Sequence, residues 1–153
     1  MILFTYRGFP PSSNRLYFRN SLTTVARKYA EDFSKFMMQN YGHMLQPGIF
    51  EPDRVYALHL RFFFPTIINE TWNNPAVKAS KRAKERYKRF DLDNRIKLLT
   101  DCIRDFVGVD DSHFLVGTQE KHMDPTDPRI EMYIQQVREE DFGVPPVQQG
   151  ILL

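Results

Sequence analysis

Read for the spacing of apolar and polar positions, the chain divides into strands and two helices. Met1 to Arg7, MILFTYR, is a short apolar run of strand type. Arg54 to Phe64 alternates, with Val55, Ala57, His59 and Arg61 on one side and Tyr56, Leu58, Leu60 and Phe62 on the other; Pro65 ends it. His113 to Lys121 and Arg129 to Gln136 read as two more strands, and the turn DPTDP between them predicts a hairpin. Elsewhere the period changes to three and four. Val25, Tyr29, Phe33, Phe36 and Met37 mark a helix to about Tyr41, capped by Thr23 or Thr24. Ile96, Leu99, Ile103 and Phe106 mark a second, from about Asn94 to Val107, with Asp93 as N-cap and Gly108 as its end. Gly8 to Asn20, Gln46 to Asp53 and Thr66 to Pro75 read as loops. Strand, helix, strand, helix, hairpin predicts an α+β fold: a small mixed β-sheet with helices on one face.

Length changes this picture little: 153 residues make one domain, expected over 1–137, with a tail over 138–153. Hydrophobic residues at 42% and aromatics at 14% indicate a folded chain. Cys102 is the single cysteine, so an internal disulfide is excluded and a reducing, cytoplasmic setting is expected. No apolar run is long enough to span a bilayer, and no signal peptide is evident.

Charge adds more. The formal net charge is only +2, but Lys78 to Arg89, KASKRAKERYKR, has seven basic residues in twelve. Lys81, Arg82, Lys84, Arg86, Lys88 and Arg89 are expected to meet DNA phosphates. Asn14, Arg15, Tyr17 and Arg19 in the first loop offer further phosphate contacts. The acidic residues follow at once. Asp91 and Asp93 stand two apart, Asp93, Lys97 and Asp101 share a helix face away from the apolar one, and Asp110 and Asp111 follow Gly108. Folded together, such carboxylates would repel one another without a cation, and hard oxygen donors suit magnesium, Mg2+. A calcium loop is excluded, because Ile96 stands where its sharp turn needs glycine.

The stretch Asp91, Asp93, Asn94, Lys97, Asp101, then Asp110 and Asp111, resembles the RusA family of Holliday junction resolvases, whose pattern is close to D-x-D-N-x-x-K-x-x-x-D, a helix, then D-D. Pro10, Pro11, Ser12, Asn14 and Tyr17 are similar to that family's opening motif, and the likeness runs from about Ile2 to Gln136. The segment before the acidic motif is longer than in compact members, and the tail runs on beyond the last strand. The resemblance implies metal binding by Asp91, Asp93 and Asp111, a role in cleavage for Lys97, supporting roles for Asn94, Asp101 and Asp110, and a homodimer with two active sites. The expected activity is magnesium-dependent resolution of four-way DNA junctions in recombination and repair. The alternatives are a junction-binding module without nuclease activity and a nuclease for flaps or forks. Gln149 to Leu153 loosely resembles peptides that dock on sliding clamps, a further possible partner.

Overall fold

The computed structural model describes residues 1–12, 16–19, 21–89 and 93–147, with the backbone alone at Asp93 and Asn94. Asn14, Arg15, Asp91, the Asp93 and Asn94 side chains and the end of the tail from residue 148 lie outside the described residues. Strand β1 is Ile2–Tyr6, β2 is Tyr17–Phe18 and β3 is Ser21–Leu22. Helix α1 is Thr24–Tyr41, β4 is Val55–Phe64 and α2 is Asp93–Val107. Strands β5, Phe114–Met123, and β6, Arg129–Val137, complete the fold.

The main sheet has the order β1-β6-β4-β5. Strand β4 pairs parallel with β5 and antiparallel with β6, and β1 pairs antiparallel with β6. The α+β fold with a mixed sheet is therefore as expected, but the last two strands are not a hairpin. They run antiparallel with β4 between them. The connection must cross one strand, about two strand spacings of 4.8 Å, and it does so over the end of β4: the Asp124 amide donates to the Phe64 carbonyl at 2.8 Å. Arg129 holds the crossing in place. Its guanidinium donates to Asp124 and to the Asp127 carbonyl at 2.8 Å, to Glu131 at 2.9 Å, and lies 3.9 Å from the Phe63 ring centre.

The period-two pattern decides which face is covered. Tyr56, Leu58, Leu60, Phe62 and Phe64 of β4 and Ile130, Met132 and Ile134 of β6 are buried under the helices. The opposite face carries a polar ladder, with Arg61 bonded to Glu120 at 2.7 Å and Tyr133 donating to Glu131 at 2.8 Å. Thr23 caps α1, its hydroxyl accepting from the Ala26 amide at 3.3 Å. Phe4 is fully buried where the layers meet and sits edge-on to Tyr41 and Phe106 at 4.9 and 5.7 Å. Gly108, at φ +72°, ends α2 in the left-handed conformation that glycine adopts without strain.

The first loop holds a feature not expected from its prolines: β2 and β3 form a small antiparallel ladder, with Arg19 at φ +48° in its turn. Among the described residues no helix is long and apolar enough to cross a membrane.

Candidate active site

Helix α2 presents two faces. Leu98, Leu99, Cys102, Ile103 and Phe106 are buried in the core. Lys97, Thr100, Asp101 and Arg104 follow Asp93 on the other side, at the spacings of a 3.6-residue helix. Cys102 belongs to the core: burial, reinforced by Asp105 and Asp101, pushes its thiol up to about 12, so it is neither a ready nucleophile nor a ready metal ligand.

Three features converge on the polar face. The small β2–β3 ladder brings Tyr17 across, so that the Lys97 ammonium lies 4.7 Å from the Tyr17 ring centre. At that distance a cation is attracted by the negative ring face. Among the described residues the buried Tyr17 hydroxyl has no hydrogen-bond partner, and its pKa is raised by burial first and then by Asp101 and Cys102. Arg104 reaches Asp101 at 3.7 Å, Asp105 at 3.7 Å and Asp111 at 3.9 Å. Asp111 itself opens the short 3-10 turn Asp111–His113, which folds back after Gly108.

The two aspartates after the helix have different tasks. Asp110 caps that turn by accepting from the Ser112 amide at 3.1 Å, and this bond, followed by one with the Asp111 side chain, lowers its pKa. Asp111 keeps a side chain 61% exposed. It lines a cleft of about 370 Å³ with Ile96 and Thr100 of α2, Leu58 and Leu60 of β4, and Phe114 at the start of β5. The cleft exists because α2 packs beside α1 and leaves the β5 edge of the sheet uncovered. Ile96, in the first turn of α2, lines the cleft together with Asp111.

Arg104 thus links Asp101 and Asp111, while Lys97, on the same polar side of α2, is joined by Tyr17 from the first loop. Arg104 was not singled out in the sequence, although its position seven residues after Lys97 places it on the same helix face. As for a metal, Asp111 supplies a hard oxygen donor that is exposed, with a long contact to Arg104 and a side-chain bond to Asp110. No group of three metal-ligating side chains occurs among the described residues, which do not include the carboxylates of Asp91 and Asp93. Three of the four histidines are engaged elsewhere: His59 bonds Thr118 at 2.6 Å, His113 bonds the Arg54 carbonyl at 2.9 Å, and His122 stacks on Phe63.

The basic stretch is not a helix. Apart from a 3-10 turn at Ala79–Lys81 it is an ordered excursion, closed at its neck by antiparallel bridging of Ile68 and Tyr87. The Lys88 amide donates to the Ile67 carbonyl and the Asn69 amide to the Arg86 carbonyl, at 2.9 and 2.8 Å. Arg82 donates to the Val77 carbonyl at 2.9 Å and Arg89 pairs with Glu85 at 2.8 Å. Among the described residues Lys81, Lys84 and Lys88 have no ion-pair partner. Arg19, the other described cation of the first loop, lies over the Phe18 ring.

A model of the family described as endodeoxyribonuclease RusA matches residues 8–135. No curated protein matches the chain. The match begins at the loop that carries Tyr17, contains the acid-bearing helix and the turn of Asp111, and ends within β6; the chain belongs to the RusA family of endodeoxyribonucleases, the Holliday junction resolvases.

Proposed function

We propose that this endonuclease resolves four-way DNA junctions by paired nicks, as a homodimer that requires magnesium. The observation that supports the reading is Asp111, an exposed carboxylate that lines the cleft with Thr100 and Ile96 of α2, the helix that also carries Lys97, whose ammonium lies 4.7 Å from the Tyr17 ring centre. Asp91, Asp93 and Asp111 would hold the metal ion, which when bound supplies Lewis-acid activation of water and of the scissile phosphate. Lys97 places a positive charge where negative charge grows on the phosphate in the transition state. Tyr17 holds that ammonium in position through its ring face, and Arg104 draws Asp111 toward the helix. Asp101 balances the local cations, and Asn94 and Asp110 keep the supporting roles the family pattern implies.

Paired nicks need two sites in matching orientation, and a two-fold assembly provides them. Phosphates flanking the branch would meet Lys81, Lys84, Lys88 and the loop of Asn14, Arg15 and Arg19. The test is incubation with labelled four-way junction, fork, flap and linear duplex, with and without magnesium, with the products mapped and the oligomeric state measured by sedimentation. Symmetric nicks confined to the junction are expected. Junction binding without any cleavage in magnesium refutes the nuclease reading, and faster cleavage of forks or flaps moves the substrate.

A further inference from the structure

We propose that the excursion between β4 and α2 is a stacking platform for unpaired nucleotides, built from Trp72, Arg86 and Tyr87. Residues 66–89 contain seven basic and two acidic side chains, and two of their aromatic rings are turned outward. Tyr87 is 56% and Trp72 38% exposed, and neither belongs to the hydrophobic core. The Arg86 guanidinium lies 5.5 Å from the Trp72 ring centre and 5.6 Å from that of Tyr87, so one cation is shared by two rings.

The platform is fixed. Asn69 clamps the returning strand, its side-chain amide donating to the Glu85 carbonyl at 2.8 Å and the Tyr87 carbonyl at 3.2 Å. The Thr71 hydroxyl accepts from the Ala83 amide at 2.9 Å, and Asn73, at φ +49°, turns the chain just past Trp72. Ordering two exposed aromatics on a segment that contributes little to the core costs conformational entropy that packing does not return. Their surroundings identify what they suit. An open depression of about 360 Å³ lies beside Tyr87, lined by Asn69, Lys84, Glu85 and Arg89. Aromatic and guanidinium faces stack on any base, while neighbouring lysines meet the backbone. Paired bases in a continuous duplex hide their faces in the stack. The ligand is therefore single-stranded or locally unpaired DNA, of the kind exposed where duplex arms part.

This inference deepens the proposed function and rests on DNA as the substrate, but it can be tested apart from cleavage. Trp72 is the only tryptophan in the chain, so its fluorescence reports on the platform alone. The full-length protein is titrated, in calcium without magnesium, with an oligothymidylate of about 12 nucleotides, within the site sizes of such surfaces. Matched titrations use a gapped duplex and a continuous duplex, with binding followed independently by anisotropy of labelled DNA. Quenching is expected with the first two DNAs and not with the continuous duplex, even when that duplex is bound. Tyr87→Ala should weaken oligothymidylate binding on the order of tenfold, within the range for removing one stacking ring, with duplex affinity little changed and Tyr87→Phe near wild type. Saturated oligothymidylate binding without a change in Trp72 emission overturns the platform. So does an equal loss of affinity for paired and unpaired DNA in Tyr87→Ala. A protein that nicks junctions yet shows no quenching keeps its proposed activity and loses the platform; quenching without nicking does the reverse.

Discussion

Arg104 offers a sharp test of the site, because its charge acts on stability and on metal binding in opposite senses. Arg104→Met removes the guanidinium and keeps much of the apolar stem. The stability cost is small: its contacts are 3.7 to 3.9 Å long, and Asp105 and Asp111 are 78% and 61% exposed. Partly exposed pairs of this kind contribute about 0.2–1 kcal/mol each, so about 1 kcal/mol in all is expected, or some 2–4 °C in melting temperature for a chain of this size. Magnesium should bind better. An ion on the far side of Asp111 would sit roughly 6 Å from the guanidinium, and with a double charge the repulsion at the dielectric of water is about 1.4 kcal/mol, or about tenfold in affinity. Single-turnover cleavage of a four-way junction across a magnesium series measures this directly. The half-saturating concentration should fall by up to about tenfold on that estimate, with circular dichroism and junction binding preserved. An unchanged or higher magnesium requirement in the folded variant would refute Asp111 as a ligand beside Arg104.

Asp93→Asn and Asp111→Asn should abolish cleavage with junction binding intact or tighter, as measured in calcium; near-normal cleavage by both would remove the proposed metal site. Lys97→Ala should lose on the order of 10²–10³ in single-turnover rate with magnesium dependence retained. Neutralising Lys81, Lys84 and Lys88 should weaken binding to every DNA shape and lower the slope of log affinity against log salt by roughly 0.9 for each phosphate no longer neutralised. Arg82→Gln should differ from these by loosening the excursion, visible as faster proteolysis, because Arg82 is bonded to the Val77 carbonyl. Asp124, held down to about 2 mainly by Arg129, should stabilise the fold fully above the ordinary aspartate range near pH 4. That contribution is lost as pH falls through about 2, so the destabilisation by Asp124→Asn in thermal melts should shrink toward that acid limit.

Local patterns were legible and long-range partners were not. The alternation of Val55 to Phe64 and the three-four spacing of Ile96 to Phe106 located β4 and α2 to within a residue or so. The same alternation told which side of β6 is buried but not which strand lies beside it, and DPTDP looks the same whether a turn joins neighbours or steps over β4. Helical spacing placed Lys97 and Asp101 together, while the approach of Tyr17 depends on a two-residue ladder that no periodicity announces. Basic density set Lys78 to Arg89 apart as a segment of its own, but the structure joins it to the preceding loop, where Asn69 and Thr71 hold its backbone.

The strand order also governs when the chain can fold. Among the described residues strand β1 has only β6 for a neighbour, and β4 lies between β6 and β5. A nascent chain that has emerged as far as α2 therefore holds two apolar strands with no sheet partner for either. Pairing of β4 can begin only with Phe114, and β1 waits for the segment from Ile130 to Ile134. Such late, distant contacts make folding slow and leave β1 and β4 open to association with other chains in the interval. Sheet closure falls to the final strand, and Arg129 and Asp124 stand at the step where that strand crosses β4 to be inserted.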